Sequence, residues 1–217
     1  MKQKDIFLNY EANAWFERNQ QDSSNRDFSK DDIVLAVHEI SKLLEHKGKK
    51  VKVLEIGCGE GGRLNHMKDV INCSVYGIDP SDQAVHHCMS NDISAKVGTA
   101  DNLPYENNLF DVLIFGFCLY LCDREDLFRI TMEADRVLKA EGWLIIKDFY
   151  EECPISNEYH HTSGVRSYKM DYKSLFTWHP NYTCYQNKIY HHEDQNFTDQ
   201  SNEWVATSVI RKISCNV

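Results

Sequence analysis

A doubly wound α/β sheet, mostly parallel with an antiparallel last strand, is the fold class this sequence predicts, and three features carry it. A β-branched run, Val51-Lys-Val-Leu-Glu-Ile56, drops into glycines at 57, 59, 61 and 62 and then into a helical pattern. From there to position 149, short apolar runs alternate with helical segments, the signature of parallel strands joined by right-handed crossovers. Two further strand-like runs, 185–190 and 204–213, are close enough in sequence to pair antiparallel at the edge of the sheet.

The elements follow in order. Residues 9–20 and 30–46 are polar stretches with apolar side chains at helical spacing, in the second case Ile33, Leu35, Val37, Ile40, Leu43 and Leu44. The polar segment 20–28 between them reads as a loop. Strand 51–56 precedes a helix at 62–70, strand 74–78 precedes a helix at 81–90, and a short strand at 95–98 leads into a loop at 101–108. Strand 110–115 precedes a helix at 124–138, and 143–149 is the fifth strand. The stretch 151–184 is aromatic and polar with weak periodicity. With no repeat or Pro/Gly-rich linker, the plan is one domain over 1–217: a helical cap (1–50), a core (51–149), an insertion (150–184) and closing strands (185–217).

Bulk properties narrow the function. With 33 acidic against 24 basic side chains, the net charge of −9 repels phosphate backbones, so nucleic acid is not expected as a partner. Lys2, Lys4, Asp5 and Glu11 interrupt any signal-like run, and no apolar stretch reaches membrane-spanning length, which predicts a cytoplasmic protein. The eight cysteines, at 58, 73, 88, 118, 122, 153, 184 and 215, form no C-x-x-C pair and read as reduced thiols. Three histidine doublets, at 86–87, 160–161 and 191–192, place neighbours in different directions, and no metal site is expected.

The glycine turn supplies the site. Glycine tolerates positive φ and close backbone approach, and the helix that follows offers free N–H groups to an anionic ligand. Gly57, Gly59 and Gly62 satisfy G-x-G-x-x-G, with Asp79 closing the next strand about twenty residues on. Alone, that pattern permits an NAD(P)-dependent oxidoreductase. Three observations point elsewhere: Glu55 two residues ahead of the first glycine, the long helical sequence before the strand, and the V-G-T-A-D-N-L-P-Y loop after the third strand.

Together these segments resemble the class I S-adenosylmethionine-dependent methyltransferases, in particular the small-molecule group with G-x-A-x-x-L-P-F loops. The resemblance spans 51–149 and includes Phe110-Asp-Val-Leu-Ile-Phe-Gly-Phe117 and Asp135-Arg-Val-Leu-Lys-Ala-Glu-Gly142, where Glu141 stands in place of a family glycine. It implies a Rossmann-like sheet, S-adenosyl-L-methionine as cofactor, and roles at matching positions. Gly57, Gly59 and Gly61 would approach the methionine portion of the cofactor, with Glu55 near its ammonium. Asp79, followed by Pro80, would accept the ribose hydroxyls; the alternative is a cap on the helix that begins near Ser81. Thr99, Ala100 and Asp101 would meet adenine, in a loop that departs from the commoner G-D-A pattern. Phe115 and Phe117 would flank the sulfonium, unless Phe115 packs in the core.

Tyr10 and Trp15 would close the pocket and Arg18 would pair with the cofactor carboxylate; equally, this segment is an amphipathic helix with Arg18 solvated. Tyr120, His160 and His161 are the candidate proton acceptors, against core packing for the first and surface loops for the others. The methyl would pass to an O or N atom of a small polar acceptor. In 166–173, Arg166, Lys169 and Lys173 outnumber Asp171, so Arg166 and Lys169 are candidates to hold an anionic group on it. An N-P-P-Y run, which would point to DNA, is absent. The chain is expected as a monomer or homodimer; a non-catalytic cofactor-binding subunit is the remaining alternative.

Overall fold

Alternation along β1 (Val51–Ile56) explains its place at the centre of the sheet. Val51 and Val53 enter the core on one face while Leu54 and Ile56 enter the core on the other, so the strand is covered on both sides. The structure is a computed structural model that describes residues 2–24, 26–45, 48 and 50–214, with the side chains of 20–24 left undescribed. His46 and Cys215 lie outside the described residues.

β1 pairs in parallel with β2 (Cys73–Asp79) on one side and with β4 (Phe110–Gly116) on the other. Outward from these lie β3 (Ser94–Val97), β5 (Leu138–Phe149), β8 (Tyr182–His191) and β9 (Trp204–Lys212), in the order β3-β2-β1-β4-β5-β9-β8. β9 runs antiparallel to both β5 and β8, as the closing runs predict. The crossovers are α4 (Gly62–Val70), α5 (Asp82–Ser90) and α6 (Leu127–Val137). One face is packed by Ile33, Val37 and Ile40 of α3 (Asp32–Glu45) with Leu64 and Met67 of α4. The other is packed by Ile130, Ala134 and Val137 of α6 with Phe176 of the short α7 (Ser174–Thr177). The chain departs from β1 to opposite sides of the sheet, so a crevice opens at the carboxyl ends of β1 and β4.

Local chemistry sets the helix starts. Asp31 accepts from the N–H groups of Ile33 (3.0 Å) and Val34 (3.3 Å) at the head of α3, and Ser81 accepts from Ala84 N–H (3.0 Å) at the head of α5.

Several boundaries differ from the sequence expectation. The leading helix is one continuous run, α1 (Gln3–Ile6), a π-helical stretch (Phe7–Glu11) and α2 (Ala12–Ser24), so the expected loop at 20–28 begins only after Ser24. The segment 20–24 holds no glycine or proline to end a helix. β5 starts at Leu138, straight out of α6, and regains register through a bulge between the Phe110 and Val112 pairings. There Glu141 takes φ +62°, the left-handed geometry a glycine would adopt without strain, and its carboxylate is held by Arg211 at 2.9 Å. The insertion holds a hairpin, β6 (Ile155–Glu158) with β7 (Arg166–Lys169), that the weak periodicity did not reveal. No described helix is long and apolar enough to cross a membrane.

Phe110 is fully buried and meets Tyr76 and Tyr105 edge-on at 5.3 and 5.1 Å between ring centroids. Phe110→Ala is expected to cost about 3–5 kcal/mol in equilibrium chemical denaturation, through lost transfer energy and the cavity left behind.

Candidate cofactor site

The turn after β1 is built from left-handed glycines, with φ +72° at Gly57, +52° at Gly59 and +77° at Gly61. A Cβ on Gly57 would fall 2.5 Å from the Cβ of Cys118, so only glycine lets the turn press against the segment after β4. At Gly59 the nearest atom to such a Cβ is in the Trp15 ring, 3.8 Å away. The space above Gly59 is therefore open, and it belongs to a solvent-open cavity of about 890 Å³.

Asp79 stands at the end of β2 on the wall of that cavity. Its Oδ2 accepts from Gly59 N–H at 2.8 Å and its Oδ1 from Ser81 N–H at 2.9 Å. Asp79 therefore braces the turn before α5, whose cap is Ser81, and its side chain lines the cavity. Burial pushes its carboxyl up to about 6, against the pull of the two backbone donors.

Thr99, Ala100 and Asp101 line the cavity beyond Asp79. Burial works to raise the Asp101 carboxyl, but the Lys4 ammonium 2.5 Å away wins and holds it below its usual range. Lys4 also meets Asp126 at 2.9 Å, Lys2 meets Asp126 at 2.8 Å, and Asp123 accepts from the N–H groups of Gln3 and Lys4, each at 3.0 Å. These bonds strap the start of the chain across one end of the cavity, which adds Lys4 and Phe7 to its lining.

Trp15, Phe117 and Tyr120 line the cavity as well. Phe117 takes φ +57°, which turns its ring out of the sheet and toward Phe149, 5.4 Å away; Tyr120 meets the same ring at 5.0 Å. Asp148 Oδ2 fastens this segment by accepting from Leu119 N–H (2.9 Å) and Tyr120 N–H (3.3 Å). Arg124 clamps it from outside, donating to the carbonyls of Leu119 (2.5 Å) and Cys122 (2.8 Å) with its guanidinium 4.1 Å from the Tyr168 ring centre.

The structure thus brings Trp15, Gly57, Gly59, Asp79, Pro80, Thr99, Ala100, Asp101, Phe117 and Tyr120 around one cavity. It places the other candidates elsewhere. Phe115 is fully buried against Phe176, because strand alternation sends it into the core two positions before the chain turns at Phe117. Gly61 faces Cys88 and Ile93 beneath α4. Tyr10 is exposed and outside the lining. Arg18 is exposed, outside the cavity lining, and paired with the buried Glu11 at 2.5 Å, which also accepts from Tyr159 and Thr162. His160 and His161 are exposed and outside the cavity.

Arg166 spends its Nε and NH2 groups on Ser156 across the β6–β7 hairpin, and Lys169 donates to the Asn202 carbonyl. Neither cation lines the cavity, which overturns the expected anion anchor. Glu55 is buried behind the turn, bonded to Arg63, and burial pushes its carboxyl up to about 7 against the Arg63 charge. Its Oε2 accepts nothing from the described residues. Lys4 and Phe7 were missed in the sequence because their roles depend on partners more than ninety residues away.

An open cradle over Gly59, a carboxylate at the second strand end and an aromatic far wall fit a nucleoside-bearing sulfonium ligand. Residues 54–146 match the family model described as a methyltransferase domain. That stretch is similar to the methyltransferase domain, and solved S-adenosylmethionine-dependent methyltransferases share the fold of the chain.

Its relatives give this a nearer setting. The fatty-acid O-methyltransferase of Mycolicibacterium smegmatis is 28% identical over 116 residues, 51% of this chain and 41% of that enzyme. The chain spans less than half the length of the curated relatives it matches. Among solved structures, a protein in complex with a methyltransferase activator of Haloferax volcanii superposes with a TM-score of 0.69 at 17% identity, covering 94% of this chain and 96% of that one. The 1,6-didemethyltoxoflavin-N1-methyltransferase of Burkholderia thailandensis, solved with S-adenosylhomocysteine, gives 0.64 at 14% identity, covering 94% and 88%.

Two predictions test the cavity. Asp79→Ala is expected to weaken S-adenosylhomocysteine binding by about 1.5–3 kcal/mol in calorimetric titration, the value of hydrogen bonds to a charged acceptor. Because the Asp79 carboxylate is the better acceptor and its carboxyl sits at about 6, wild-type affinity should fall as pH drops through about 6; Asp79→Asn should flatten that dependence. Gly59→Val places a β-branched side chain at φ +52° inside the cavity, and the folded variant should show no calorimetric signal with S-adenosylhomocysteine.

Proposed function

We propose that this chain transfers the methyl group of S-adenosylmethionine to an oxygen of a largely apolar small molecule, with a carboxylate as the preferred acceptor group. The observation that carries this reading is one cavity that Gly59, Asp79, Trp15, Phe117 and Tyr120 line together. Bound there, the cofactor supplies a methyl group already activated on a sulfonium. The chain's own work is to position and to exclude water. Asp79 accepts the ribose hydroxyls, the Gly57–Gly59 turn gives the methionine portion room, and the ring faces of Trp15 and Phe117 attract the positive sulfur.

The acceptor class follows from the rest of the lining. Phe7, Trp15, Phe117, Tyr120 and Leu121 give the cavity an apolar wall, and the cations once candidates for an anchor are bonded elsewhere. The cavity carboxylates are committed: Asp79 to backbone N–H groups, Asp101 to Lys4, Asp123 to the backbone of residues 3 and 4, Asp126 to Lys2 and Lys4. Burial raises the Tyr120 hydroxyl far above neutrality, so it orients an acceptor and does not take its proton. An acceptor that arrives ionised needs no base, and a carboxylate meets that condition. The relative named as a fatty-acid O-methyltransferase supports this choice over an amine.

The test is methyl transfer by the purified chain to fatty acids, phenols and primary amines, read as S-adenosylhomocysteine formed. Turnover on the acids is expected; turnover on amines alone, or none with any acceptor, overturns the reading. With the best acceptor, Tyr120→Phe should keep cofactor affinity and lower kcat/KM by no more than about tenfold, whereas loss of a general base costs roughly 100-fold or more.

A further inference from the structure

Outside the cofactor cavity, one group of side chains among the described residues brings metal-ligating atoms together. His191, His192 and Glu203 each offer an atom within 4.8 Å of the others. Adjacent residues diverge only while a strand continues, and β8 ends at His191. The chain then folds back through Gln195 at φ +61°, with Gln195 N–H on the His191 carbonyl at 3.1 Å and His192 N–H on the Glu203 carbonyl at 3.0 Å. That turn leaves the two imidazoles with centroids 5.2 Å apart and planes 30° apart, against the expectation that a doublet points both ways. Glu203 arrives on the short 3-10 turn Ser201–Glu203 before β9, with Oε2 3.0 Å from His192 Nδ1.

The donor set is chemically selective. Two imidazoles and a carboxylate suit zinc and its divalent first-row neighbours better than calcium or magnesium, which take oxygen ligands. Metal–ligand bonds of about 2.0–2.2 Å set donor atoms roughly 3–3.5 Å apart around a tetrahedral ion, a contraction that small side-chain rotations supply. Three protein ligands leave one position open. Two more carboxylates stand outside the trio, Asp194 at 3.4 Å from His191 Nδ1 and Glu193 at 3.9 Å from His192 Nε2, and both favour a cation. The position is also pointed: the His192 ring lies 6.3 Å from the Phe149 ring, whose other neighbours are Phe117 and Tyr120 of the cavity.

We propose that His191, His192 and Glu203 form a binding site for a divalent transition-metal ion of the zinc class, one aromatic ring outside the Phe117 and Tyr120 wall of the cavity. The test is titration of the full chain with Zn²⁺ against a chromophoric chelator, and with Co²⁺ as an optical reporter, since the cysteines offer rival ligands. One equivalent is expected to bind, with cobalt d–d bands and no thiolate charge-transfer band. His192→Ala and Glu203→Gln should each weaken binding by about tenfold or more while S-adenosylhomocysteine affinity holds, and the near-isosteric Gln variant guards against misfolding. Absence of saturable binding, a cobalt spectrum dominated by thiolate, or wild-type affinity in the folded Gln variant would overturn the proposal.

Discussion

Four buried charges beneath the glycine turn are the constraint on which the rest of the structure depends. Glu55 of β1 bonds to Arg63 of α4, Arg63 Nε reaches Asp31 at 3.2 Å, and Lys147 of β5 reaches the other oxygen of Asp31 at 3.3 Å. All four side chains are buried. Burial works to raise the Asp31 carboxyl, and the Arg63 and Lys147 charges override it and hold it low; burial is the larger effect on Lys147, whose ammonium is pushed down. Such a knot adds little net stability, but removing one member strands the others at a cost of about 3–5 kcal/mol. Its structural value is positional. It fixes the head of α3, the end of β1, the first turn of α4 and the end of β5 against one another, beside Gly116 at the end of β4.

The same economy governs the cavity rim. An acidic chain gathers Asp101, Asp123 and Asp126 at one end of its cavity, and unscreened they would repel one another. Lys2 and Lys4 pair with Asp126 and Asp101, the N–H groups of Gln3 and Lys4 bind Asp123, and these bonds carry the N-terminal helix across the opening. A second buried acid, Glu11, performs the reverse service further along that helix by collecting Arg18, Tyr159 and Thr162, which ties it to the insertion. Helix and insertion are thus joined by ion pairs and hydrogen bonds around Glu11.

Features that depend on a few neighbouring residues were legible in the sequence. The glycine turn, Asp79 at a strand end and the alternating core are local, because positive φ, a strand terminus and two-residue periodicity are written in short windows. Phe115 and Phe117 mark the limit. They are two apart and would share a face in a continuing strand, but the left-handed Phe117 breaks the alternation, and no feature of its sequence neighbours announces that turn. For Arg18, Arg166 and Lys169 the limit is different: a cation's role is set by the acceptor it meets, and here those acceptors are Glu11, Ser156 and the Asn202 carbonyl.

By itself the sequence determined the doubly wound sheet, its antiparallel closing strand and the edge where the cavity opens, since hydrophobic period and glycine stereochemistry act through the chain's own covalent neighbours. Only the tertiary structure decided which of the candidate side chains share a cavity, that Lys4 and Phe7 join them, and that His191 and His192 turn toward Glu203. Those outcomes are pairings between side chains distant in sequence or across a turn, and their energies exist only once the backbone has brought the partners within a few ångströms.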